Sequence, residues 1–124
     1  MIAKAAKESS FNFSIYAHFP FCASRCSFCR FYSLANNNPG DYDKILDCMI
    51  KELTIWAGII RQSRKIKGKI PPESIYLGGG TPTLFNLENF FGALTKKFDI
   101  SHCRQINLES TPQALNEKNL RLYK

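Results

Sequence analysis

The sequence predicts an α/β fold built on a parallel sheet, and two observations predict it. Short segments with alternating apolar residues, the period of a strand, are each followed by a segment with apolar residues every three or four positions, the period of a helix. The resulting order, β-α-β-α-β-α, implies parallel strands joined by right-handed crossovers. The composition agrees: 124 residues, 44% hydrophobic and 13% aromatic, suffice for one small core.

The elements follow in order. Phe13, Ile15, Ala17 and Phe19 alternate with Ser14, Tyr16 and His18, which predicts a strand ended by Pro20. Asn36 to Gly40 is a turn signal. A helix is predicted from near Asp41 to about Gln62, with Leu46, Met49, Leu53, Trp56 and Ile60 as one apolar stripe that reads as core packing. Gly68 to Pro72 is a loop, and Ser74 to Leu77 a short strand running into Gly78-Gly79-Gly80. Asn86 can cap a second helix, with Leu87, Phe91, Leu94 and Phe98 as its buried face. Gln105 to Glu109 is a third strand, and Asn116 can cap a third helix of about two turns. There is no internal repeat beyond the alternation and no low-complexity segment.

Charge and composition bound the function. The net charge is +7, and Arg61, Arg64, Lys65, Lys67 and Lys69 crowd one stretch. Such a run reads better as a solvated helix end, with cations complementing the dipole, than as a nucleic-acid surface. No apolar run is long enough to cross a bilayer. The first ten residues carry Lys4, Lys7 and Glu8 without a hydrophobic signal core, and no Arg-rich amphipathic stretch marks a mitochondrial presequence. A reducing, cytoplasmic setting is the expectation, and a disulfide framework is not.

Of five cysteines, Cys22, Cys26 and Cys29 are spaced C-x3-C-x2-C directly after the first strand. That spacing can wrap three thiolates around one side of an iron–sulfur cluster. Three thiolates leave one iron of a cubane open, and an open iron is a site for chemistry. The same cysteines can also be half of a zinc site, although no second ligand pair completes it. His18 lies in a regular strand and reads as a core histidine. Cys48 and Cys103 read as ordinary buried thiols.

Three motifs in this order extend the cysteine reading: Tyr16-Ala17-His18-Phe19-Pro20-Phe21-Cys22, then Leu77-Gly78-Gly79-Gly80-Thr81-Pro82-Thr83, then Glu109-Ser110-Thr111-Pro112. Together they resemble the radical S-adenosylmethionine (SAM) proteins, and among them the branch of oxygen-independent coproporphyrinogen III oxidase and its heme-chaperone relatives. The resemblance runs from about Ser14 to the end of the chain. It implies that Cys22, Cys26 and Cys29 ligate three irons of a [4Fe-4S] cluster. It further implies that the open iron chelates SAM, and that an electron from the reduced cluster cleaves it to methionine and a 5′-deoxyadenosyl radical.

The resemblance also implies the SAM contacts. Gly79, Gly80 and Thr81 hold the amino group, which exposed backbone carbonyls of a glycine run can accept. Tyr16 lies against SAM, Phe28 near the adenine, and Glu109 accepts from a SAM amine or hydroxyl at the carboxyl edge of the sheet. An electron donor is an implied partner, and heme or a porphyrin a further one. The oxidase branch carries a fourth cysteine in C-x3-C-x2-C-x-C; here that position is Phe31. This departure favours the heme chaperones over decarboxylation of coproporphyrinogen.

The fold implied is a partial (β/α)6 barrel. An eight-unit barrel takes about 250 residues, about 30 per unit, so this length has room for about four units, and three are visible. The expectation is a short extension over 1–12 followed by the first half of a radical SAM core over 13–124, apparently truncated, with the third strand an open edge. The competing expectations are a true oxidase, an inert remnant, and a zinc module.

Overall fold

Three parallel strands form the central sheet of the chain, described here by a computed structural model over residues 12–122. They are β1 (Ser14–Phe19), β4 (Ser74–Gly79) and β5 (Gln105–Leu108), in the order β1-β4-β5. Between β1 and β4 lie two short paired strands, β2 (Phe21–Cys22) and β3 (Leu34–Ala35), and the helix α1 (Pro39–Arg64). The helix α2 (Leu87–Lys97) joins β4 to β5, and α3 (Glu117–Leu122) follows. The predicted β-α-β-α-β-α order and the parallel sheet are thus both present. All but the last residue of the expected 1–12 extension lies outside the described residues.

The register divides the sheet into two faces. Ile15 pairs with Ile75 and Ile75 with Ile106, while Tyr16 pairs with Tyr76 and Tyr76 with Asn107. Successive side chains of a strand alternate faces. Ala17, Phe19, Ile75 and Leu77 therefore share one face, where they join Leu46, Leu53 and Ala57 of α1 and Phe90 and Leu94 of α2 in the core. Burying the leucine, isoleucine and phenylalanine side chains among them stabilises the fold by about 1.5–3 kcal/mol each. Both long helices cover this face. The other carries Ser14, Tyr16, His18, Tyr76, Gly78 and Asn107, with Glu109 just beyond β5.

Several expectations shift in detail. α1 begins earlier, because the Asn38 side chain accepts from the Gly40 N–H and Pro39 occupies the first turn. Its buried stripe is Leu46, Leu53 and Ala57; Trp56 is 54% exposed, since a 26-residue helix rotates past a strict three-four spacing. In α2 the deep residue is Phe90 rather than Phe91, which is half-buried, because Phe90 meets Phe19 edge-on at 5.5 Å. Cys48 is exposed on α1 and Cys103 half-buried, so neither is a buried core thiol. Of the basic stretch, Arg61 and Arg64 lie in the last turn of α1 and Lys65 at its C-cap, while Lys67 and Lys69 follow the helix; Arg61 donates to the carbonyls of Gly68 and Lys97. No described helix is long and apolar enough to cross a membrane.

Candidate iron–sulfur and nucleotide site

The carboxyl ends of the parallel strands bring the three motifs together. β1 ends at Phe19, and the chain turns through Pro20 into the cysteine loop. The loop is closed at its base: Leu34 N–H donates to Pro20 O at 2.8 Å and Asn36 N–H to Cys22 O at 2.9 Å. Within it, Cys29 N–H donates to Cys26 O. Cys26 is exposed, and Cys22 and Cys29 are half-buried; all three thiols are free. Among the described residues no three His, Cys, Asp or Glu side chains are drawn into one metal-binding group. Phe28, between Cys26 and Cys29, is 84% exposed.

The glycine turn lies directly against this loop. Gly80 N–H donates to Phe19 O at 2.6 Å and Thr81 N–H to Phe21 O at 2.8 Å. The Thr81 hydroxyl donates to Cys22 Sγ at 3.5 Å. Each glycine has its own reason for lacking a side chain. A Cβ on Gly80 would stand 2.4 Å from Phe21 O, a clash with the backbone of the cysteine loop. Gly79 has φ +109°, in the region that disfavours L side chains, and its Cβ would meet His18 and Phe19 O at 2.8 Å. A Cβ on Gly78 would stand 2.8 Å from a Glu109 oxygen.

Glu109 is seated by two donors. Tyr76 O–H donates to Oε1 at 2.7 Å and Gly79 N–H to Oε2 at 3.1 Å. A carboxylate accepts at about four lone-pair sites, so Glu109 keeps capacity for a ligand. The hydrogen bond to Glu109, then its charge, push the Tyr76 phenol above the usual tyrosine range. Tyr16 is 60% exposed beside Tyr76, with ring centroids 5.8 Å apart. Its hydroxyl bonds His18 Nδ1 at 3.1 Å, and His18 Nε2 donates to Tyr32 O at 2.9 Å, tying the return arm of the cysteine loop to β1. On the apolar side of the loop, Tyr42 stacks on Phe21 and Phe85, and burial, then the nearby Cys22, push its phenol up.

The sequence-predicted residues therefore meet at one edge. Thr81 contacts Cys22 directly, Gly79 and Gly80 pack on Phe19 and Phe21 where β1 runs into the loop, and Glu109 is bonded to the glycine turn. Cys26, Cys29 and Phe28 are on the same loop. Sequence reasoning missed Tyr76, the hydrogen-bonding part played by His18, and Gly78. The signal for Tyr76 was present: it precedes Gly78 by two, which puts it on the open face with Tyr16. A groove of about 420 Å³ runs along the edge of β1 and α1, lined by Tyr16, His18, Met49, Leu53, Trp56 and Ile60 among others and by none of the cysteines.

Three free thiols on one accessible loop, one receiving a hydroxyl donor, make a donor set that suits an iron–sulfur cluster. A parallel sheet carrying such a loop beside a glycine turn and a seated carboxylate puts the chain among the α/β proteins with polar groups gathered at the carboxyl ends of their strands. Among curated proteins, the heme chaperone HemW of Buchnera aphidicola is 31% identical over 114 residues, 90% of this chain and 28% of that protein. An oxygen-independent coproporphyrinogen III oxidase of Synechocystis is 29% identical over 102 residues, 80% of this chain and 21% of the oxidase. The mitochondrial radical S-adenosyl methionine domain-containing protein 1 of Danio rerio is 28% identical over 111 residues, 87% of this chain and 23% of its own length. Over most of its length the chain is thus similar to radical SAM proteins of the branch of the oxygen-independent coproporphyrinogen III oxidases and heme chaperones. It spans about a quarter of the length of these relatives. No family model matches the chain, and no solved structure matches it.

Proposed function

We propose that this chain carries the cluster-binding part of a radical SAM protein of porphyrin or heme metabolism, nearer the heme chaperones than the oxidases. The observation that carries the reading is the junction of cysteine loop and glycine turn: Thr81 bonds Cys22 and Gly80 bonds Phe19 at the carboxyl edge of a parallel sheet. In this reading Cys22, Cys26 and Cys29 hold a [4Fe-4S] cluster. When bound and reduced, the cluster supplies the electron for cleavage of SAM.

The chain's own residues would bind and orient SAM. The N–H groups of Gly79, Gly80 and Thr81 are engaged inside the protein, so ligand contact at the turn falls to its carbonyls, which accept from an ammonium. Glu109, held in place by Tyr76 and Gly79, accepts from an amine or a hydroxyl. Tyr16 presents an exposed ring on the same open face, and Phe28 an exposed ring on the loop for an adenine. Residues 13–124 would form the first three βα units of a partial (β/α)6 barrel, with 1–12 an extension. Heme or a porphyrin and an electron donor would be the partners, in the cytoplasm.

Phe31 in place of a fourth cysteine favours the chaperone over the oxidase. The test is anaerobic reconstitution followed by iron and acid-labile sulfide analysis. Iron and sulfide in equal amounts, lost in Cys22→Ala, Cys26→Ala and Cys29→Ala, support the reading; zinc without sulfide contradicts it. Heme titration and product analysis with coproporphyrinogen III then separate chaperone from oxidase.

A further inference from the structure

Thr81 has a second part to play besides its place in the glycine turn. Its side chain is buried, with the residue only 3% exposed, and its hydroxyl donates to Cys22 Sγ at 3.5 Å. Its own N–H is fixed to Phe21 O, one residue before that cysteine. Gly80 brings the turn so close to Phe21 that no Cβ fits between them. The hydroxyl is thereby delivered to the sulfur by backbone contacts on both sides, rather than by a free rotamer. Buried hydroxyls are rarely left without a partner, and here the partner is the sulfur.

We propose that Thr81 is a positioning residue for Cys22 whose hydroxyl, through the sulfur, sets the reduction potential of the cluster. The proposal rests on the assignment of Cys22 as a cluster ligand. Reduction adds one electron to the oxidised cluster and raises the negative charge on its sulfurs. A hydrogen-bond donor at a ligating sulfur favours the more negative state, and such bonds are among the determinants of cluster potential. Loss of the hydroxyl then makes the cluster harder to reduce. The contact also separates Thr81 from the carbonyls of the turn: its side chain serves the sulfur, not SAM.

The experiment compares Thr81→Val and Thr81→Ser with the wild-type chain, each reconstituted anaerobically. Iron and sulfide content are measured first, and the midpoint potential is then read by dithionite titration with mediators and EPR detection. Thr81→Val keeps the buried volume and removes the donor. It is expected to hold the same iron and sulfide and to lower the equilibrium constant for reduction about tenfold, about 59 mV for a one-electron couple. Thr81→Ser is expected to stay near the wild-type potential. Should Thr81→Val fail to fold, Thr81→Ala against Thr81→Ser isolates the hydroxyl in the same way. Equal potentials with and without the hydroxyl, in clusters of equal content, overturn the inference alone. A wild-type chain that takes up no iron and sulfide removes the cluster assignment, and the inference with it.

Discussion

The helix-covered face of the sheet and its open face come from the same strands, one residue apart, and they obey different rules. On the covered face Phe19, Ile75 and Leu77 are fully buried, and the Phe19 ring packs edge-on against Phe85 and Phe90. On the open face Tyr16, His18, Tyr76 and Glu109 satisfy one another through hydrogen bonds while remaining accessible. The first face holds the fold by area removed from water; the second presents polar groups already oriented by neighbours. The cysteine loop and glycine turn stand where the strands of both faces end, which links the stability of one to the chemistry of the other.

The difference predicts a graded series. Phe90→Ala removes a ring that packs on Phe19 in the covered face, and is expected to lower the urea unfolding free energy by about 3–5 kcal/mol. Gly80→Ala comes next. Its Cβ would press on backbone at 2.4 Å, so a loss of about 1–3 kcal/mol is expected. Gly92→Ala is the control of opposite sign, because a Cβ there meets nothing and α2 gains about 1 kcal/mol in propensity. If both alanines had the same sign by chemical denaturation, the close approach of turn and loop would be wrong. Asn38→Ala, which removes the cap of α1, is expected to cost about 1 kcal/mol.

The smallest effects are in pH dependence, and they belong to the open face. Tyr76 is held neutral beside Glu109, so its folded-state pKa lies above the unfolded value. Its contribution to stability is present below the unfolded tyrosine value and is lost as pH rises through the folded one. Absorbance titration near 295 nm should show two phenols, Tyr76 and Tyr42, ionising later than the ordinary tyrosine range, and Glu109→Gln should bring that of Tyr76 alone back toward about 10. At the acid end, Asp41 is held below the usual carboxylate range by the Asn36 amide first, with Lys44 and Asn38 adding to it. That contribution is present above the unfolded Asp value and fades as pH falls through the depressed one. Asn36→Ala should therefore reduce the pH dependence of stability in mild acid.

The strands, the helices and the parallel order were legible because their periods differ: alternation in Phe13 to Phe19, three-four spacing in Leu46 to Ile60. The apolar register within each helix was less so. Phe90 and Phe91 are chemically identical, and only the position of Phe19 across the interface decides which is buried. The site was legible as motifs, each naming residue types, but not as contacts. Nothing in the sequence around Thr81 and Cys22 reveals that the chain brings them together across a separation of 59 positions. Nor does the glycine run say that its members answer different neighbours: Glu109 at Gly78, His18 and Phe19 at Gly79, and Phe21 at Gly80. Such contacts depend on the crossover through α1, a property of the whole topology.

The central claim is that the loop at the strand ends holds a cluster with an iron open to SAM. The most direct measurement is EPR of the anaerobically reconstituted, dithionite-reduced chain, recorded with and without SAM. The account predicts a [4Fe-4S] signal whose g values shift when SAM is added, and whose shift is weakened in Glu109→Gln. A cluster signal unchanged by SAM would contradict it.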